Sequence, residues 1–223
     1  MEGRKVKKMV TPDFYREEKL FKKGYENVAG IDEVGRGPLA GPVVAVAIIF
    51  SKSKLLNKLL EVGIRDSKLL SAKKREYLAE LILEKCHSWS VGIVSEEVID
   101  RINILEASLL AMRKAVENLE TKPDFLLIDG KQTIKNYPVS QIAIPKADQS
   151  VFSVSAASIL AKVTRDKILI DLDKKYPEYG FAQHKGYGTK FHLEVLNKIG
   201  PCKIHRKTFS PVEKLLSQFN LAR

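Results

Sequence analysis

The spacing of apolar residues along the chain predicts an alternation of short strands and longer helices. Residues 28–32 are an apolar segment that reads as a strand, broken by Gly35, Gly37 and Pro38. Gly41-Pro42 opens a second run, residues 43–50, rich in β-branched residues, and the short glycine-rich link predicts that the two strands pair. A Lys-rich connection over residues 51–68 leads to a helix from about Ser71 to Lys85, with Tyr77, Leu78, Leu81 and Ile82 on its apolar face. Trp89, Val91 and Ile93 alternate with small or polar residues, the period of a third strand. Ser95 followed by Glu96 and Glu97 has the form of a helix start, with acids in the first turn, and the helix runs to Leu119 with a break near Asn103. Residues 125–128 read as a buried strand closed by Asp129-Gly130, and residues 142–144 as another. A long helix over residues 151–175, ended by Pro177, begins with an Ala- and Ser-rich half against which a neighbour can pack closely. Gly186 and Gly188 bracket a flexible turn. A helix over residues 189–198 stops at Gly200-Pro201, and a last one follows Ser210-Pro211.

Strands first, then helix and strand in alternation, place the chain in the α/β class: a mixed sheet flanked by helices, with a helical C-terminal part. Residues 1–23 are charged, with Phe14, Leu20 and Phe21 in a weak helical pattern. The predicted division is a basic arm or short surface helix over residues 1–26 and one domain over 27–223.

Charge narrows the class of partner. Lysine and arginine number 38 against 27 aspartate and glutamate, a net +11 over 223 residues. A surplus of that size favours a polyanion, since clustered cations neutralise phosphates and release counterions. Cys86 and Cys202 are the only cysteines and form no C-x-x-C pair, which argues against a disulfide framework or a zinc site. No apolar stretch follows the basic N-terminus as it would in a secretory signal, and the longest apolar run, residues 43–50, is far short of the roughly 20 residues needed to span a bilayer. A soluble, cytoplasmic monomer with no membrane association is expected.

The candidate chemistry lies in carboxylates. Asp32 and Glu33 fall at the end of the first strand, Asp129 at the end of another, and Asp148 in a polar stretch ahead of the long helix. Strand ends are where α/β sheets build sites. Four converging carboxylates repel unless cations hold them, and Mg²⁺ takes oxygen ligands of this kind. Two such ions about 4 Å apart can activate a water and stabilise the leaving oxygen of a phosphodiester. Taken singly, each acid reads as a turn cap or a surface residue.

The motifs around the acids carry more. Residues 30–43 read GIDEVGRGPLAGPV, and further blocks follow in order: DSKLL at 66–70, LLIDGK at 126–131, KAD at 146–148, VSAASILAKVTRD at 154–166, HKGYGTK at 184–190 and IHR at 204–206. This series resembles the ribonuclease HII family over residues 28 to about 212. The resemblance implies a ribonuclease H-like fold, with Asp32, Glu33, Asp129 and Asp148 binding two ions of Mg²⁺ or Mn²⁺. It implies an endoribonuclease that cuts the RNA strand of RNA–DNA hybrids and cuts 5′ of single ribonucleotides in duplex DNA, leaving a 3′-hydroxyl and a 5′-phosphate.

By the same resemblance Gly35, Arg36 and Gly37 contact the ribose 2′-hydroxyl, and Tyr187 packs on the sugar just after the ribonucleotide. On their own terms the two glycines allow close backbone approach, and an aromatic on a glycine-flanked turn can stack on a nucleotide. Lys68, Lys146, Lys162 and Arg165 are candidates for phosphate contacts. His184 and His205 are read as structural or phosphate-binding, since a metal-bound water needs no histidine base. Three rival readings remain open. One is a ribonuclease HIII-like enzyme restricted to longer RNA stretches, against which Arg36 and the short arm argue. Another is a non-catalytic hybrid-binding protein, against which the complete set of four carboxylates argues. The third is a DNA-processing nuclease, disfavoured by the Gly-Arg-Gly segment and Tyr187.

Overall fold

The computed structural model describes residues 11–51, 64 and 70–221, with side chains through 217. Five strands, β1 (Val28–Val34), β2 (Val43–Ile49), β3 (Ser88–Val94), β4 (Phe125–Asp129) and β5 (Ser140–Ile144), form one sheet in the order β3-β2-β1-β4-β5. β1 pairs antiparallel with β2, as their short link predicts, and β2 pairs antiparallel with β3. β1, β4 and β5 run parallel. The α-helices among the described residues are α1 (Tyr15–Lys22), α2 (Ala72–Lys85), α3 (Glu96–Glu117), α4 (Phe152–Lys175), the short α5 (Phe181–His184), α6 (Lys190–Ile199) and α7 (Val212–Leu221).

Alternation along the strands divides the core between the two faces of the sheet. Val43, Ala45, Ala47 and Ile49 of β2 join Ala29 and Ile31 of β1 under α3. Val46 and Ile48 face the other way, onto α2 and α4. Close approach explains the small residues. A Cβ at Gly30 would lie 2.4 Å from the backbone of Ser153, so the Ser- and Ala-rich start of α4 packs directly on β1. A Cβ at Gly92 would lie 1.9 Å from the Ala111 carbonyl oxygen of α3. The alternation in β3 marks a real strand, but Trp89, Val91 and Ile93 do not face α3: Trp89 and Ile93 are exposed, Val91 packs on the other face, and Gly92 and Val94 meet α3.

The local stop and start signals also hold. Ser71 caps α2 by accepting a hydrogen bond from Lys74 N, and Thr189 caps α6 the same way from His192 N. Asn103 breaks α3 at φ 68°, and its Oδ1 accepts from Leu105 N and Glu106 N, so it caps the segment that follows.

The start of α4 is capped from outside. Its own N-cap residue, Val151, has no side chain able to accept, so the first amides need another acceptor. Glu17 of α1 supplies it: Oε1 accepts from Ser153 N at 2.9 Å and from Ser153 Oγ at 2.6 Å, although the residues are 136 apart in sequence. Phe14 beside it packs against Phe152, with centroids 4.3 Å apart, and against Phe50. From Asp13 onward the N-terminal segment is therefore built into the core rather than laid on the surface.

Two stability changes follow. Gly92→Ala forces a side chain into the α3 backbone and should cost at least about 1–3 kcal/mol. Glu17→Ala removes the α4 cap and should cost about 1 kcal/mol, against under about 0.5 kcal/mol for Ala at exposed Glu18. Urea denaturation of the three variants checks both.

Candidate active site

Parallel pairing sets the site. β1 and β4 are in register to Ile31 opposite Ile128. The next residue on each strand is an acid, Asp32 and Asp129, so two carboxylates lie side by side on one face of the sheet, Asp129 as the last residue of β4 and Asp32 two residues before the end of β1. Both lie at the carboxyl ends of these strands, where α/β sheets place ligands. Asp148 sits in a 3₁₀ turn, Ala147–Gln149, just beyond β5. That turn is tied to the strand end because Asp129 Oδ1 accepts from Ala147 N at 2.7 Å. Glu33 closes the group from the opposite face of β1, lining a cleft of roughly 310 Å³ with Asp129, Gly130, Arg36 and the α3 residues Ser108 and Met112.

The electrostatics show how near the acids are. Burial raises the Asp32 carboxyl well above the usual carboxylate range, and the charges of Glu33, Asp129 and Asp148 push it further, partly offset by a hydrogen bond from Ser158. Burial also raises Glu33, while Arg36, paired with it at 3.2 Å, pulls it down. Glu33 Oε2 is buried and makes no hydrogen bond. Repelling carboxyls and an orphaned buried oxygen are what a cation would relieve, so the donor set fits a divalent ion. The carboxylates nevertheless make protein contacts: Asp32 Oδ1 accepts from Glu33 N, and Asp129 and Glu33 are engaged as above. Among the described residues no three His, Cys, Asp or Glu side chains converge as a ready-made cage.

The loop after β1 is shaped by two buried arginines. Arg165 Nε donates to Pro42 O, its NH2 to Ala40 O and its NH1 to Lys185 O. Arg206 donates to the carbonyls of Gly35, Arg36 and Gly41. Gly35, at φ 96°, must be glycine, because a Cβ there would lie 2.3 Å from Arg165 Nε. Burial lowers the two guanidiniums to about 10 and about 9, so both stay charged at neutral pH. The sequence-based assignment of Arg165 to phosphate is thereby corrected: its side chain is wholly buried and its donors are spent on carbonyls. For Arg206 the sequence holds no signal beyond its place in the IHR block.

The other expected residues are distributed around this loop. Arg36, Gly37 and Tyr187 are exposed, and a Cβ at Gly37 would lie 3.8 Å from the Tyr187 ring, so the two motifs meet. Lys146 is exposed immediately before the Asp148 turn. Lys162 lies one turn along α4 from Ser158 and pairs with Asp166 at 2.7 Å. Lys68 lies outside the described residues. His184 and His205 are buried, which removes them from phosphate contact and leaves the structural role.

A family model described as Ribonuclease HII matches residues 29–212. The chain is 53% identical over 202 residues to a ribonuclease HII of Acholeplasma laidlawii, covering 91% of this chain and 96% of that protein. It is 49% identical over 196 residues to one of Caldicellulosiruptor bescii, covering 88% and 92%. The crystal structure of ribonuclease H2 from Pyrococcus horikoshii superposes with a TM-score of 0.73 at 32% identity, covering 87% of this chain and 99% of that one. With the carboxylates at the ends of β1 and β4 and the arginine-held loop beside them, these likenesses show that the chain belongs to the ribonuclease HII family and is a ribonuclease H.

Proposed function

We propose that the enzyme hydrolyses the RNA strand of RNA–DNA hybrids and cuts 5′ of single ribonucleotides in duplex DNA, leaving a 3′-hydroxyl and a 5′-phosphate. The observation that carries this reading is the juxtaposition of two devices. Carboxylates that burden one another, Asp32 above all, stand at the strand ends, and a glycine loop with an exposed aromatic, Gly35 to Gly37 with Tyr187, stands beside them. The first suits phosphodiester chemistry and the second suits recognition of a sugar at close range.

Asp32, Glu33, Asp129 and Asp148 would hold Mg²⁺ or Mn²⁺, two ions in the active complex. Such a pair supplies an activated water and charge neutralisation at the leaving oxygen. The remaining work falls to the chain. Ser158 orients the Asp32 carboxyl, and Asp129 fixes the turn that presents Asp148. The arginine-held carbonyls fix the loop that meets the ribose, where the 2′-hydroxyl separates RNA from DNA. Exposed Tyr187 offers a face for the neighbouring nucleotide. Lys146, exposed just before the Asp148 turn, and Lys162, on exchanging its Asp166 partner, would meet phosphates of the substrate. The basic N-terminal residues, Arg4, Lys5, Lys7 and Lys8, add grip on duplex substrate.

A DNA duplex containing one ribonucleotide should be cut on its 5′ side with Mg²⁺ and not with EDTA. Asn at Asp129 should lower the rate by more than about a hundred-fold while leaving binding intact. Cutting of long hybrids but not of the single ribonucleotide would narrow the substrate to longer RNA, and no cutting of either would overturn the proposal. Removing residues 1–10, which spares Phe14 and Glu17, should weaken hybrid binding and reduce the slope of log affinity against log salt by up to about 3–4. An unchanged slope would assign the grip elsewhere.

A further inference from the structure

Behind the Tyr187 turn lie three buried histidines that the chemistry above does not use. His184 and His192 stack at 4.2 Å, and His192 Nε2 meets His205 Nε2 at 3.0 Å. Their shortest contacts assign the protons. His192 Nδ1 lies 2.9 Å from the Tyr187 carbonyl oxygen, which can only accept, so Nδ1 carries the hydrogen. His192 Nε2 is then bare in the neutral ring and accepts from His205 Nε2–H. His205 Nδ1 is bare in turn and accepts from Cys202 N at 2.9 Å, the shortest of its contacts; the Cys202 thiol lies 3.2 Å away and the Cys202 carbonyl oxygen, which would favour a hydrogen on Nδ1, lies farther at 3.3 Å. His184 takes the opposite form from His192: Nε2–H donates to Tyr179 O at 2.8 Å, and Nδ1 accepts from Gly186 N.

We propose that His192 is a positioning residue for Tyr187, held in a single tautomer by a one-way chain of hydrogen bonds from the Cys202 amide through His205. Its role in cutting rests on the function proposed above; the chain itself does not. One proton too many breaks the chain, because a second hydrogen on His192 would face the Nε2–H of His205. Burial keeps both rings neutral, lowering His192 to about 4 and His205 to about 3. The Tyr187 backbone is thus pinned from behind, through His184 at Gly186 and through His192 at its own carbonyl, while its ring remains exposed beside Gly37.

Nitrogen-15 NMR of the imidazoles at pH 7 tests the chain without substrate, with exposed His87 as the internal control. The expected result is His192 as the Nδ1–H form and His184 and His205 as Nε2–H forms. A charged His192, or one protonated at Nε2 instead, would overturn the assignment. A double-mutant cycle tests the positioning role in cutting a single ribonucleotide. His192→Phe keeps a ring but loses the donor, and should lower kcat about ten-fold with Tyr187 present and hardly at all in Tyr187→Ala. His192→Asn, whose amide N–H falls near the Nδ1 position, should recover most of the loss. Equal losses in both tyrosine backgrounds, or an Asn variant as slow as the Phe one, would overturn the role. If the unsubstituted enzyme cuts no such substrate, the proposed function fails while the NMR result still decides the chain.

Discussion

The pairing of β1 with β4 in parallel register is the constraint on which the site depends. With Ile31 opposite Ile128, the following residues are necessarily neighbours, and both are aspartates. A one-residue slip in either strand would turn one of them to the opposite face of the sheet. The register is secured by what lies beneath it. Gly30 lets α4 sit against β1, and Ser153 near the start of α4 is held by Glu17 from the N-terminal helix. Ser158, one and a half turns further along, reaches Asp32. The acids are thus set by a stack of short contacts rather than by long flexible side chains.

Much of this order could be read from the sequence because its signals are local. Asn103 breaks its helix, Ser71 and Thr189 cap theirs, and the glycine-rich link folds β2 back on β1. The acids could be placed at strand ends for the same reason. The features that escaped are those whose partners are remote. Nothing near Glu17 in the chain announces Ser153, and nothing near Arg206 announces Gly35. Arg165 looked like a surface cation because arginine usually is one. Only the folded loop shows six carbonyl oxygens, of residues 35, 36, 40, 41, 42 and 185, converging on its guanidinium and that of Arg206. In β3 the period located the strand but not which face carries the load, since the inner face is shaped by the α3 backbone.

The buried arginines and the buried histidines divide the work around the loop that follows β1. The arginines hold the residues after β1 by their carbonyls, and the histidines hold the turn containing Tyr187. Backbone contacts join the two: Leu39 N donates to Gly186 O and Arg206 N to Leu39 O. Loop and turn are therefore one rigid piece supported by α4 and the C-terminal segment, although they lie about 150 residues apart in sequence.

Among the described residues, neither Arg165 nor Arg206 forms an ion pair with a carboxylate within 4.0 Å. Two positive charges therefore sit under the floor of the loop, in protein rather than in solvent, offset only in part by Asp166 near Arg165 and by Glu96 and Asp100 near Arg206. Mobile ions screen surface lysines efficiently but reach buried charges poorly. An anionic backbone lying on this floor would feel an attraction that persists at ionic strengths where the lysines have lost theirs. Approach would be governed by the salt-sensitive surface, and final seating by a field that the buffer hardly alters.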